Sequence, residues 1–233
     1  MNELRYRQVH LDFHSSEYIE DVAKDFKKEE FVATLKKANV NSITCFARCH
    51  HGWLYYPSKN TPELIHPNLT NHNLLLEQIE ACHKNDIKVP IYTTVQWDGY
   101  IARTHKEWLA IDENAEFINS QGVEEPHFYY TICLNSDYRQ YFKSHLQDII
   151  DVVGVENIDG FFMDILFKVD CNCKRCVEKM EALGFDSKVK DSRIEYSIVM
   201  LDEFKKEITE FINSRAPKAK IGRASCRERV SLQ

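Results

Sequence analysis

Hydrophobic and polar residues follow two different periods in the first fifty residues of the chain. In residues 8–14 every second residue is apolar, which predicts a β-strand. Residues 26–38 instead repeat their apolar positions at helical spacing, and residues 41–48 return to a β-rich run. The pattern therefore predicts one complete strand–helix–strand unit.

The same alternation continues along the chain. Apolar stripes at helical spacing predict further helices, and short apolar runs predict further buried strands. The predicted elements are helices over 73–85, 137–153 and 192–213, strands over 89–95 and 158–166, and the first residues of a fifth strand at 219–221. Strands that alternate with helices are typical of a parallel sheet, in either a doubly wound fold or a barrel.

The connections favour the barrel. The chain has only seven glycines and no glycine-rich strand-to-helix turn of the kind that doubly wound nucleotide-binding folds use. The loops after strands two and three are long, about 25 and 40 residues, and barrel active sites are built from such loops. A complete barrel has eight units in roughly 250 residues. The predicted fold is thus α/β, an incomplete (β/α)8 TIM barrel with about four βα units of the N-terminal half, over residues 1–220.

The last thirteen residues are predicted to be a separate segment. Residues 221–233, IGRASCRERVSLQ, lack apolar periodicity and carry three arginines, whereas the preceding part of the chain favours lysine. Residues 221–230 are similar to a translated reading frame of a common sequencing adapter. We therefore expect 221–233 to be a non-native tail fused to a truncated gene, with a genuine basic tail as the alternative.

Composition narrows the classes of function. Of the 233 residues, 43% are hydrophobic, so the chain can bury a sizeable core. The 30 basic and 36 acidic residues are interspersed, and no basic stripe is present for a nucleic acid. No apolar run approaches the roughly 20 residues that cross a bilayer, and the polar start MNELR lacks the apolar core of a signal peptide. We expect a cytoplasmic protein that binds neither nucleic acid nor membrane.

Candidate functional residues lie where the predicted strands end. In a barrel enzyme, the working groups come from the carboxyl ends of the strands and from the loops that follow. Aromatic rings stack on sugar rings, and imidazole, guanidinium and carboxylate groups bind hydroxyls, so such a set suits a glycoside substrate. The residues selected in this way are His14, Arg48, His50, His51, Trp53, Trp97, Asp98 and Asp164.

Asp164 is the strongest catalytic candidate, because it follows the apolar run GFFM and leaves a buried strand at the barrel mouth. The alternatives are a turn cap or an ion pair with Arg48. Asp98 also ends a strand, and substrate contact is the role predicted for it. Asp159, at the opposite end of the Asp164 strand, is expected to be a turn residue.

The segment ARCHHGW at 47–53, followed by YPSK at 56–59, resembles the alpha-L-fucosidase family. A related, uncharacterised group of glycosyl hydrolases has the same CHHGW pattern. The resemblance implies that the histidine pair of this segment and His14 bind the sugar, and that Asp164 is the nucleophile of a retaining double displacement. It also implies that the acid/base residue comes from a later strand than those predicted here.

Three of the eight cysteines are spaced as metal ligands: Cys171, Cys173 and Cys176. Zinc takes four such ligands in a tetrahedron, and Cys133 is the best fourth candidate because it precedes a helix at the same mouth of the barrel. The arrangement resembles the structural zinc site of one beta-galactosidase barrel family. The alternatives are free thiols or a disulfide.

The leading hypothesis is a fragment of a carbohydrate-active hydrolase that is inactive alone, because part of the barrel is missing. A second is a non-catalytic, zinc-stabilised sugar-binding or scaffold domain. A third, a metal-dependent hydrolase using His50, His51 and Asp164, is the weakest because adjacent histidines cannot easily chelate one ion. The expected partner of the full-length protein is an oligosaccharide or glycoside substrate, and self-association into a homo-oligomer is left open.

Overall fold

The computed structural model describes residues 5–122 and 127–223, and strands alternate with helices through these ranges. The strands are β1 (Gln8–His10), β2 (Ser42–Arg48), β3 (Pro90–Thr94), β4 (Gly160–Asp164) and β5 (Lys220–Arg223). The α-helices are α1 (Lys28–Lys37), α2 (Leu74–His83), α3 (Gly99–Thr104), α4 (Tyr138–Val153), α5 (Lys174–Ala182) and α6 (Lys190–Arg215). Single-turn 3-10 helices lie in the connections at Pro62–Leu64, Lys106–Trp108, His127–Tyr129 and Val155–Asn157.

The strands form one parallel sheet in the order β1-β2-β3-β4-β5, which confirms the predicted α/β class. The sheet is strongly curled, since the His10 ring of β1 lies 5.2 Å from the Phe162 ring of β4. In a flat sheet, strands three positions apart would be separated by about 14 Å. The curled sheet and its helices form an incomplete (β/α) barrel, as predicted.

Side chains of each strand divide between the two faces of the sheet. Ile43, Cys45 and Ala47 of β2 point outward into the main hydrophobic core, which they share with residues of α2, α4 and α6. Phe46 points to the concave face, where it stacks on Tyr92 of β3 at 3.8 Å between ring centroids. Both faces of the sheet are covered, and β4 is accordingly an almost continuous apolar run, GFFM, before Asp164.

Strand β2 contains a bulge that changes the direction of its last side chain. Phe46 pairs with Tyr92, but the next pair is Arg48 with Thr93, so Ala47 is an extra residue. Simple alternation would place Arg48 on the concave face with Phe46. The bulge instead puts Arg48 on the face of Thr93, whose hydroxyl lies 3.0 Å from His145 Nε2 of α4.

Some elements differ in extent from their predictions. Strand β1 ends at His10 rather than near residue 14, because its pairing with β2 stops at Thr44, and Leu11 is then 59% exposed. Helices α3 and α5 were not predicted, since they have 6 and 9 residues and so carry little periodic signal.

Strand β5 crosses the boundary predicted at residue 220. Residues 221–223 pair with 161–163 of β4, so the sheet continues into the segment expected to be non-native. The rest of that segment, 224–233, lies outside the described residues. Among the helices of the described ranges, none combines the length and apolar character needed to cross a membrane.

Replacing Gly160 by alanine should disrupt the pairing of β4 with β5. A Cβ atom at this position would press into the backbone carbonyl of Lys220, which cannot move without separating the two strands. Overpacking of this kind costs about 1–3 kcal/mol of unfolding free energy, which urea denaturation would measure. Gly222→Ala is the matched control on β5, because its new Cβ would be 3.6 Å from its nearest neighbour. Unchanged stability of the Gly160→Ala variant would contradict this packing.

Candidate active site

Asp164 ends β4 at the barrel mouth, and both oxygens of its carboxylate are hydrogen-bonded. Oδ2 accepts a hydrogen bond from the Tyr92 hydroxyl at 2.8 Å, and Oδ1 accepts one from the Ile165 N–H at 2.8 Å. Ile165 has a φ of 58°, a left-handed conformation that is rare for a β-branched residue and typical of functional sites. The Asp164 side chain is 16% exposed, so it remains accessible to a ligand.

Hydrogen bonding keeps the Asp164 carboxyl ionised. Burial acts to raise its pKa, but the nearby His50 ring and hydrogen bonds from the Tyr92 hydroxyl and the Ile165 N–H together lower the pKa below the ordinary aspartate value. The group is therefore charged at neutral pH, as a nucleophilic carboxylate must be. Sequence analysis missed Tyr92, although the alternation of β3 places it on the concave face beside Phe46.

Two histidines from neighbouring loops stack beside this carboxylate. His14, after β1, and His50, after β2, lie face to face at 3.8 Å between ring centroids. The His50 N–H donates to His14 Nδ1 at 3.1 Å, and His50 Nε2 lies 3.7 Å from Asp164 Oδ2. Burial and the neighbouring His50 lower the pKa of His14 to about 3, so His14 is neutral at physiological pH.

Aromatic rings form one wall of the mouth. Trp97 lies edge-on to His50 at 5.3 Å between ring centroids, and its indole N–H donates to Ser120 Oγ at 2.7 Å. Phe128, which was not predicted, lies against the rings of both His50 and His51. Burial lowers the pKa of His51. The structure thus brings the predicted histidines and Trp97 together near the carboxylate.

Trp53 joins the loop after β1 to the loop after β2. Its indole N–H donates to Glu17 Oε2 at 3.1 Å, and its ring lies edge-on to His66 at 6.1 Å between centroids. Glu17 is a further residue that sequence analysis did not select. Trp53 is half-buried, so one part of its ring is fixed and another part is open to solvent.

Arg48 and Asp98 do not reach the mouth, which corrects their prediction as substrate contacts. Both side chains are fully buried, and Arg48 Nη1 lies 3.1 Å from Asp98 Oδ2. Because of the bulge, Arg48 points toward α4, where it donates to the Tyr138 hydroxyl at 2.9 Å. Asp98 caps α3 by accepting a hydrogen bond from the Ile101 N–H at 3.0 Å. The partner of Arg48 is therefore Asp98 rather than Asp164, and the pair is structural.

The YPSK segment is fixed by a buried aspartate of α4. Asp148 Oδ2 accepts hydrogen bonds from the hydroxyls of Tyr56 at 2.8 Å and Ser58 at 2.7 Å. Asp148 Oδ1 accepts from the backbone N–H groups of Lys59 and Asn60. Four donors on one carboxylate anchor the loop after β2 to the helix layer. Sequence analysis missed Asp148.

Four cysteines form a compact cluster that could hold a metal ion. The sulfur atoms of Cys133, Cys171, Cys173 and Cys176 lie within 4.8 Å of one another, and all four are free thiols. Cys133 Sγ is 3.5 Å from Cys176 Sγ and 3.8 Å from Cys173 Sγ. Metal–sulfur bonds of about 2.3 Å in a tetrahedron separate the ligands by about 3.8 Å. The prediction that Cys133 joins the other three is confirmed.

The cysteine cluster connects the long loop after β3 to the loop after β4. The Cys133 N–H donates to the Trp108 carbonyl at 2.9 Å, and the Asn172 N–H donates to the Ile111 carbonyl at 2.7 Å. Cys173 is the N-cap residue of α5, and a helix N-terminus favours the thiolate form of a cysteine. A bound ion would therefore hold two mouth loops together.

Sugar-cleaving barrel enzymes present a carboxylate at a strand end, among rings that can stack on a pyranose. The present mouth has this organisation, so the fold and the site resemble those of the glycoside hydrolase class. More narrowly, residues 27–165 match the model of the family described as hypothetical glycosyl hydrolase 6, and the chain belongs to this family. No curated protein sequence matches the chain.

Two solved structures are similar to the whole fold. Alpha-L-fucosidase isoenzyme 2 from Paenibacillus thiaminolyticus superposes with a TM-score of 0.85 and 36% identity, over 95% of this chain and 33% of that one. A hypothetical protein from Ruminiclostridium thermocellum ATCC 27405 superposes with a TM-score of 0.60 and 12% identity, over 94% of this chain and 97% of that one. The second likeness concerns the fold alone. The chain spans about a third of the length of the fucosidase.

Replacing Arg48 by methionine should destabilise the protein strongly. The change leaves the fully buried Asp98 without its ion-pair partner, which costs about 3–5 kcal/mol of unfolding free energy. The double variant Arg48→Met/Asp98→Asn removes both charges while keeping a capping oxygen for α3, so we expect it to be more stable than the single variant. Urea unfolding of parent, single and double variants measures both effects. Additive losses would show that the two residues do not act as a pair.

Proposed function

We propose that the chain is the nucleophile-bearing part of a fucosidase-like glycoside hydrolase that cleaves O-glycosidic bonds by a retaining double displacement. The observation that carries the proposal is the Asp164 carboxylate, which is ionised, partly accessible and held on both oxygens at the end of β4. The 36% identity with a solved alpha-L-fucosidase supports an L-fucoside as the first substrate to test.

In this mechanism, the Asp164 carboxylate attacks the anomeric carbon while the bond to the leaving oxygen breaks. A second carboxylic acid protonates that oxygen, and its conjugate base then activates the water that releases the sugar. In the described mouth, Asp12 lies 4.0 Å from His14 Nε2 and Glu17 accepts a hydrogen bond from Trp53, but neither carboxyl group is hydrogen-bonded to Asp164, His50 or Tyr92. We therefore assign the acid/base to a part of the barrel that follows β5, and expect the present chain to be inactive alone.

The substrate contacts we propose are those of rings at the mouth that keep some exposure: His14, His51 and Trp53 are half-buried, and His50 and Trp97 are each 8% exposed. His14, His50 and His51 would bind sugar hydroxyls, and Trp97 and Trp53 would stack on the apolar face of a sugar ring. Arg48 and Asp98 are left out, because their side chains are buried beneath the mouth.

We further propose zinc as the ion of the cysteine cluster, because zinc prefers four thiolates in a tetrahedral, closed structural site. The sulfur separations of 3.5 and 3.8 Å around Cys133 support this choice. When bound, the ion would stabilise the loops that carry the cysteines, with no part in the reaction. Free thiols throughout the described residues also support a reducing compartment such as the cytoplasm.

Two remaining proposals concern the ends of the domain and its state of assembly. We keep residues 1–220 as the glycosidase domain and 221–233 as a non-native tail, although residues 221–223 form part of β5. Within the described residues, β1 and β5 each pair on one side only, and open edges of this kind favour self-association.

Asp164→Asn should abolish turnover of an aryl L-fucoside in the protein extended through a complete barrel. The amide keeps the shape of the side chain but cannot attack, and losses of about 100-fold or more are typical for such a nucleophile. Asp159→Asn is the matched control, because Asp159 lies at the other end of β4 and pairs with His83 and Lys88. A slow fluorosugar should leave a covalent adduct on Asp164, detected by peptide mass spectrometry.

An adduct on another residue, or near-normal turnover by the Asp164→Asn enzyme, would remove Asp164 from the mechanism. Fucose binding by a complete barrel that has no hydrolase activity would favour the second candidate, a zinc-stabilised sugar-binding domain. The observation that supports this second candidate is the four-cysteine cluster.

Purified protein should contain about one equivalent of zinc, and Cys173→Ser should lose both the zinc and thermal stability. Atomic emission gives the metal content, and a thermal melt with and without a chelator gives its contribution to stability. Cys45→Ala is the control, because Cys45 lies in the main core and away from the cluster. A metal-free protein as stable as the purified one would refute the zinc proposal.

A further inference from the structure

We propose that Tyr92 is a positioning residue that sets the direction of the hydrogen bonds at the mouth, fixing His50 as the Nε2–H tautomer and leaving its Nδ1 to accept a sugar hydroxyl. The part of this inference that identifies the ligand as a sugar rests on the proposed function. Tyr92 is fully buried, so it acts through Asp164 and His50 rather than on the substrate itself.

The tyrosine ring is held in one position by the concave face of the sheet. Tyr92 is in register with Phe46 on β2 and with Phe162 on β4. Its ring stacks on Phe46 at 3.8 Å with an interplanar angle of 13°, and on Phe162 at 6.0 Å with an angle of 22°. The hydroxyl therefore has a fixed location, 2.8 Å from Asp164 Oδ2 and 2.8 Å from His50 Nε2.

The number of protons determines the direction of both hydrogen bonds. A phenol has one proton to donate, and an ionised carboxylate can only accept, so Tyr92 donates to Asp164. The tyrosine oxygen must then accept from His50, which requires a proton on His50 Nε2. A neutral imidazole protonated at Nε2 has an acceptor at Nδ1, and this atom has no protein partner within the described ranges.

The neighbouring histidine is fixed by the same reasoning. The His50 backbone N–H donates to His14 Nδ1 at 3.1 Å, so neutral His14 carries its proton on Nε2. His14 thus offers a donor and His50 an acceptor. Two adjacent sugar hydroxyls could be bound in this way, one accepting from His14 and one donating to His50.

Tyr92→Phe separates this role from that of an ordinary core tyrosine. The variant keeps the stacked ring but removes both hydrogen bonds of the hydroxyl. Tyr56→Phe is the matched control, since Tyr56 is also fully buried and donates to a carboxylate, that of Asp148, away from His50. Both variants lose a buried hydrogen bond, so a difference between them is not a general effect of stability.

The first measurement is the tautomer of His50 in the present chain, read from long-range ¹⁵N–¹H spectra of the histidine rings and assigned with His50→Gln. We expect Nε2–H in the parent and in Tyr56→Phe, and a mixture with Nδ1–H in Tyr92→Phe. A parent already protonated on Nδ1, or a Tyr92→Phe spectrum identical to that of the parent, would overturn the proposal. This measurement needs no enzymatic activity, so it stands even if Asp164 proves not to be catalytic.

The second measurement is the pH profile of kcat/KM in the protein extended through a complete barrel. The titratable side chains around Asp164 are Tyr92, His50 and His14, with Asp12 beside His14 and His10 beside the Tyr92 ring. Removing the Tyr92 donor destabilises the ionised carboxylate, so the acid limb of Tyr92→Phe should move up by about one pH unit. We also expect kcat/KM to fall about 10- to 100-fold. An acid limb that stays in place would contradict the role of Tyr92. If Asp164→Asn still abolishes activity in that case, the proposed function remains intact.

Discussion

The buried ion pair of Arg48 and Asp98 is the interaction on which the mouth depends. It joins the end of β2 to the start of α3, and through Tyr138 it joins both to α4. His50 follows Arg48 by two residues, and Trp97 directly precedes Asp98. The Gly99 N–H also donates to the His50 carbonyl at 2.8 Å. Two fully buried charges thus set the relative position of an imidazole and an indole that line the surface above them.

The charge states of Asp164 and His14 follow from the balance between burial and the polar groups around each side chain. Asp164 stays charged because its two hydrogen bonds and the nearby His50 ring outweigh its burial, whereas burial outweighs the nearby carboxylates at His14 and keeps that ring neutral. An anionic Asp164 beside the neutral His14 ring attracts a developing positive charge without repulsion from that ring. An oxocarbenium-like transition state has that charge on the anomeric carbon and ring oxygen.

Sequence periodicity was sufficient to predict the parallel sheet. It was also sufficient to place Asp164 at the mouth, because a carboxylate at the end of a buried apolar strand has few other possible positions. The spacing of Cys171, Cys173 and Cys176 was sufficient to look for Cys133, because strand ends meet at one edge of a barrel. Arg48 could not be placed, since a bulge depends on pairing between strands and ARCHHGW contains no local signal for it. The alternation that defined β3 could also have predicted that Tyr92 lies on the concave face.

The extra residue at Ala47 gives strand β2 an unusual sensitivity to length. Substitutions in this segment change one side chain at a time, but inserting a single residue between Phe46 and Arg48 would move the arginine one pairing position on and bring the guanidinium to the concave face. Asp98 would then be an unpaired buried charge. Insertions and deletions in the evolution of this mouth should therefore avoid β2, where a change of length decides which face of the sheet the last side chain takes.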